Sequence, residues 1–185
     1  MATKTFSKSL MASEDIKAYV RGALYQVAST NAPIHDGAFV VLGDLAADTT
    51  YAQTGDVQYN VYTATAPTAV TDKVVVVDIA DVTTGTIAGN DYKMGVKLYD
   101  LVAPAGKAVR VRRMVVGDTM WLSDGLFEST PTVGKYAELT ANKTTLTPQA
   151  SHTGGQFGVK ILAATEMTTG QIANGTKYLV EVVEL

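Results

Sequence analysis

Apolar runs in this chain are short, and a residue suited to turning closes each of them. "VVVV" at 74–77 is bounded by Lys73 and Asp78, and "AFVVL" at 38–42 by Gly37 and Gly43. Turn signals recur at Asp36-Gly37, Gly55-Asp56, Gly89-Asn90-Asp91, Asp124-Gly125, Gly154-Gly155 and Asn174-Gly175. Gly and Asn accept the positive φ that tight hairpin turns demand, so each pair carries a mechanism as well as a correlation. Strands are expected at about 37–42, 57–64, 73–79, 92–99, 108–116, 119–123, 135–140, 156–163 and 176–184. Such spacing, without a long amphipathic stripe, points to an all-β sandwich or barrel. Only 16–27 reads both ways: Ile16, Val20, Leu24 and Val27 fit a helical stripe capped by Ser13, and alternate residues fit a strand. The recurrence of Leu-Tyr-x-apolar at 24–27 and 98–101 favours the strand for the last part.

A second pattern bears on organisation. Thr-Thr-Gly-x-Ile-Ala occurs at 83–88 and again at 168–173, each time after an acidic residue (Asp81, Glu166) and an apolar run. "YNVYTA" (59–64) is echoed by "YAELTA" (136–141), and "GAFVVLGD" (37–44) by "GDTMWLSD" (117–124), in the same order. Internal repeats fix architecture. The expectation is therefore a tandem duplication: small β-sandwich or β-barrel modules at 31–106 and 107–185, behind an N-terminal arm and lead-in at 1–30. Ile87 and Ile172 would then plug equivalent core positions, with the Thr residues ending a strand and the Gly turning the chain.

Composition narrows the function. A hydrophobic content of 46% with 18% charged residues is that of a globular protein. A net charge of −3 leaves no footprint for wrapping nucleic acid. The absence of cysteine removes disulfides and thiolate metal sites. "VVVV" is far too short to span a bilayer, and the N-terminus has no apolar stretch typical of a secretory signal, so no membrane partner is expected.

Chemistry-bearing motifs are scarce. His35 and His152 stand alone in turn-like segments, without the second ligand a metal site needs, and read as exposed loop histidines. Asp44, Asp48, Asp78, Asp81, Asp91, Asp118 and Asp124 lack the spacing of a calcium loop and read as solvated turns. Neither a nucleophile elbow nor a phosphate-binding loop is present. No catalytic residue, cofactor or metal is expected, and the chain does not read as an enzyme. "RVRRMVV" (110–116) is the one basic concentration. On a strand, Arg110 and Arg112 share one face and Arg113 lies on the other. Trp121 reads as a core anchor.

The phrases "HDGAFVVLGDL" (35–45), "VGDTMWLSDGLF" (116–127) and "PTVGKYAELT" (131–140) set G-x-x-V-x-L-x-D ahead of V-G-x-Y. In this, and in its Thr/Ala/Gly/Val-rich, cysteine-free make-up, the chain resembles bacteriophage virion proteins of the capsid decoration (cement) and head-fibre-base kind, over about 31–150. The resemblance implies a non-enzymatic β-rich protein on the outer capsid surface, made in the host cytoplasm. It also implies the major capsid protein as partner and homo-oligomers on the capsid. Attachment to an acidic partner surface is expected through Lys4 and Lys8 of the arm and through Arg110, Arg112 and Arg113. The alternative is a carbohydrate-binding or adhesive β module of a phage tail or bacterial surface. The dispersal of Tyr51, Tyr59, Tyr62, Tyr92, Tyr99, Tyr136 and Tyr178 along the chain favours the first reading.

Overall fold

The computed structural model describes residues 8–11, 20–46, 61–79, 82–87, 90–95, 102–169 and 172–185. They form an all-β protein whose strands, in chain order, are β1 (Lys8–Met11), β2 (Val20–Val27), β3 (Thr30–Asn31), β4 (Ile34–His35), β5 (Phe39–Leu45), β6 (Val61–Thr65), β7 (Val75–Asp78) and β8 (Val82–Ile87). They continue as β9 (Asn90–Gly95), β10 (Val102–Ala103), β11 (Val109–Arg113), β12 (Thr119–Ser123), β13 (Tyr136–Leu139), β14 (Leu146–Gln149), β15 (Gly158–Thr169) and β16 (Ile172–Glu184). Among the described residues a 3-10 turn spans Asp124–Leu126.

Five strands close a barrel in the order β2–β6–β5–β7–β11 and back to β2. The β2–β6 pair is parallel, and the other four pairs are antiparallel. A five-stranded barrel is narrow, and small inward side chains fill it. Ala23, Val40, Ala64, Val75, Val77, Val109 and Val111 do so, with Ile34 and Ala103 from the β4–β10 ladder. The Val- and Ala-rich composition is the sequence-level cause of that narrow core.

Strand periodicity turns the alternate residues outward, where a second sheet covers them. Its order is β1–β12–β16–β15–β13–β14, antiparallel throughout. Phe39 and Val76 of the barrel enter one core with Met120, Leu122, Leu139, Leu146, Phe157, Val159, Ile161, Val180 and Val182. The Phe39 and Phe157 rings sit 5.3 Å apart at 45°. This explains why β7 is buried along its whole length: one face fills the barrel and the other meets the sheet. Backbone bonds from Phe39 N–H to Thr144 O (2.9 Å) and Asn142 N–H to Pro67 O (2.6 Å) fasten the two layers.

The sheets do not divide where the repeats suggested. β11 lies beyond residue 106, yet it pairs with β2 and β7 and closes the barrel of the first half. The second sheet has a different strand order, so a boundary at 106/107 would open the barrel. The described residues of 1–30 belong to the body: β1 lies along β12 in the second sheet, and β2 is a barrel strand. The six-residue phrase occupies different registers in its two copies. Thr83 and Thr84 pair with Met94 and Lys93, beyond the phrase, whereas Thr168 and Thr169 pair with Ala173 and Ile172, within it. The side chains of Ile87 and Ile172 lie outside the described residues.

Two turn signals also do other work. Asp124-Gly125 begins the 3-10 turn, and Gly175 sits inside β16 at φ +116. The tightest described hairpin turn has neither Gly nor Asn: Ala28 and Ser29, with φ of 47° and 63°, join β2 to β3.

Candidate functional site

Three features outside the core carry chemistry. The first is the arginine strand. Val109 and Val111 face the barrel interior, so Arg110 and Arg112 share the outer face as alternation requires. Asp78 lies directly opposite Arg110 in the β7–β11 ladder. Its Oδ2 accepts from Arg110 Nη2 at 2.7 Å and from Arg112 Nε at 2.5 Å. The Asp78 side chain is 8% exposed, so this carboxylate is a buried counter-ion and not a solvated turn. Two of the five expected attachment residues are thus engaged within the molecule. Arg113 is exposed at the strand end, where it lines a cleft of about 160 Å³ with Lys73, Val74, Met114, Phe157 and Leu185. Lys8 lies in β1 opposite Leu122, and Lys4 lies outside the described residues.

The second feature was not among the expectations from the sequence. His152 is half-buried between two carboxylates: Nδ1 is 2.7 Å from Glu138 Oε1, and Nε2 is 2.7 Å from Glu184 Oε2. Glu138 is buried in β13 and also accepts from Thr153 N–H and the Gln156 side-chain amide. Glu184, at the end of β16, also accepts from Gly155 N–H at 2.7 Å. The Tyr136 ring stacks on the imidazole at 5.8 Å, and a Cβ on Gly158 would lie 2.5 Å from His152 Cε1. Burial pulls the His152 pKa down, but the hydrogen bonds and charges of Glu184 and Glu138 outweigh it and the net shift is upward. The His152 hydrogen bond, followed by the Gly155 N–H, holds Glu184 below the ordinary carboxylate value. The reading of His152 as an exposed loop residue is therefore corrected. Its partners lie 14 and 32 positions away, beyond the reach of a spacing rule. The available signal was Glu138 itself, an acid inside the strand "YAEL". His35 is likewise no exposed loop residue: it is half-buried in β4 opposite Val102.

The other carboxylates mostly stabilise backbone. Asp36 Oδ1 accepts from Ile79 N–H at 2.8 Å, Asp118 Oδ2 from Val115 N–H at 2.8 Å, and Asp72 caps Thr68 and Ala69. Among the described residues, no group of three His, Asp or Glu is placed to hold a metal ion. Glu138 and Glu184 lie against opposite nitrogens of one ring, so they do not converge on a common point. Trp121 is no core anchor: it is half-buried between the inward-facing Met120 and Leu122, with Lys177 Nζ 5.0 Å from its ring centre.

The third feature is a pair of hairpins. β8 and β9 pair only with each other among the described residues. The distal part of β15–β16 does the same, since β12 reaches only to Lys177 and the β13 ladder ends at Lys160. Each hairpin carries one copy of Thr-Thr-Gly-x-Ile-Ala.

Comparison with known protein families, with curated proteins and with solved structures finds no match. The chemistry of the chain is therefore read from its own geometry. The Asp78 pair and the His152 cluster bind protein to protein within the molecule, while the two hairpins have no third strand among the described residues and Arg113 is exposed beside its cleft.

Proposed function

We propose that this chain is a bacteriophage capsid decoration (cement) protein, a non-enzymatic virion component that binds the outer capsid lattice and stabilises the head. The observation that carries the reading is the pair of hairpins, 82–95 and the distal end of β15–β16, without a third strand among the described residues. A lone two-stranded hairpin is marginal in water. Its open edges offer unpaired N–H and C=O groups to a neighbouring chain. Two such elements with one shared phrase suit a surface that repeats, as the lattice of a major capsid protein does. Many copies on such a lattice, touching one another, would gain avidity from the repetition. The exposed Arg113 and Lys73 supply cations at the barrel rim for a carboxylate-bearing neighbour.

Co-sedimentation of the purified chain with assembled capsids, against unassembled capsid subunits, tests the proposal. Binding is expected to assembled capsids alone. Replacing residues 84–93 by a two-glycine turn is expected to abolish it while the thermal melt holds. Full occupancy by the shortened chain would remove the hairpins from the interface.

A further inference from the structure

We infer that His152 is a proton-controlled latch, closing the segment 150–157 onto the end of β16 when protonated and releasing it when the proton leaves. The inference is independent of the attachment reading, since every group it uses lies within one chain.

Geometry fixes the protonation state of the closed form. Both imidazole nitrogens lie 2.7 Å from carboxylate oxygens. Carboxylates only accept, so both nitrogens must donate, and only the imidazolium has two N–H groups. A neutral ring would aim one lone pair at an oxygen. The two arms are unequal, which decides the arm that opens. Glu138 is buried and holds two further donors, Thr153 N–H and the Gln156 amide. The Glu184 side chain is 36% exposed and holds one, Gly155 N–H. Water replaces the partners of Glu184 readily and those of Glu138 poorly. Loss of the proton therefore leaves Nδ1–H on Glu138, turns Glu184 to solvent and frees Gly155. Gly155, at φ +84, gives the segment a backbone position suited to re-folding at that point.

The surroundings favour the closed, charged form. β13 contributes Glu138 and the stacked Tyr136, and β16 contributes Glu184. β15 presents uncharged Gly158 beneath the ring, and its Lys160 stands in register with Tyr136 and Glu181. β14 offers Gln149 opposite Tyr136, and Thr153, Gly155 and Gln156 of the segment are uncharged. Two carboxylates thus face one imidazolium. The contribution of His152 is complete below its ordinary 6.5 and is lost as pH rises through its elevated folded value. That of Glu184 is complete above its ordinary 4.5 and is lost as pH falls through its lowered one. The latch is tightest between those two ordinary values. Leu185, which follows Glu184, and Phe157, which ends the latched segment, both line the Arg113 cleft, so release loosens one wall of it.

An NMR titration of both histidines in the full chain, with amide-exchange protection factors for Thr153 and Gly155, tests the latch. His152 is expected to titrate above 6.5. Gly155 protection should fall through the same midpoint, by about tenfold for each pH unit that the midpoint exceeds 6.5, while Thr153 stays protected. Glu184→Gln should move the His152 midpoint down and make Gly155 protection independent of pH. A wild-type midpoint at or below 6.5, Gly155 protection flat across it, or Thr153 and Gly155 lost together would each overturn the latch. The wild-type titration decides the matter even if a variant fails to fold.

Discussion

Removing the Phe39 ring tests whether barrel and sheet fold as one body. Phe39 is fully buried, lies on the outward face of β5 and enters the core made chiefly by the second sheet. Phe39→Ala leaves a ring-sized cavity at the joint and deletes the contact with Phe157 at 5.3 Å. Truncation of a buried Phe costs about 3–5 kcal/mol, of which an aromatic pair accounts for roughly 0.5–1.5. Against a total of about 5–15 kcal/mol for a domain, that is a large fraction. With a urea slope of about 2–3 kcal/mol/M for a chain of this size, the midpoint should fall by about 1–2 M. Trp121, the lone tryptophan, reports on the second sheet, and far-UV circular dichroism reports on all strands. The two transitions should coincide in the parent and move down together in the variant. A Trp121 transition that stays in place while the dichroism splits would refute the shared core, as would a cost below about 1 kcal/mol.

Asp78→Asn removes the charge facing Arg110 and Arg112 and should cost about 1–3 kcal/mol in denaturant titrations. Arg113→Glu, at an exposed position, should change stability by less than about 0.5 kcal/mol and so serves as the clean probe of attachment. Ala28→Asn with Ser29→Gly should raise stability by about 1 kcal/mol or more, because Ala and Ser hold a left-handed turn that Asn-Gly adopts with little strain. Gly43→Ala would put a Cβ 2.6 Å from Thr63 Oγ1 and should cost about 1–3 kcal/mol, with part of the loss recovered in the double variant with Thr63→Ala. A fragment ending at residue 106 should fail to give a cooperative melt, since it lacks the strand between β2 and β7.

What the sequence disclosed and what it concealed divide by range. Alternation and turn residues are local, and they revealed the all-β class and β12 at Thr119–Ser123 to the residue. Pro148 hid β14, because a proline argues against a central strand, yet β14 is an edge strand where one is tolerated. Barrel closure joins β2 to β11 and β6 across long stretches of chain, and no local pattern records such pairings. The recurring Thr-Thr-Gly-x-Ile-Ala, read as the mark of a tandem duplication, falls on a hairpin in each copy. The positions are not equivalent, since its threonines pair beyond the phrase in one copy and within it in the other. For the arginine strand, the facing of Arg110 and Arg112 followed from period two, while their shared counter-ion on β7 did not. His152 was the largest miss, because its environment comes from three separate strands.

The position of β11 also sets an order of events during synthesis. β2 emerges early, yet one of its two barrel neighbours is about ninety residues downstream and the other is β6, so the ring stays open until residue 113 has left the ribosome. β1 waits longer, since its partner β12 ends at Ser123. Contacts this distant in sequence carry a high closure entropy, and chains dominated by them fold in milliseconds to seconds. Through that interval the nascent chain exposes "VVVV" and the edges of β2 and β7, which is when such a chain is most prone to pair with a neighbour.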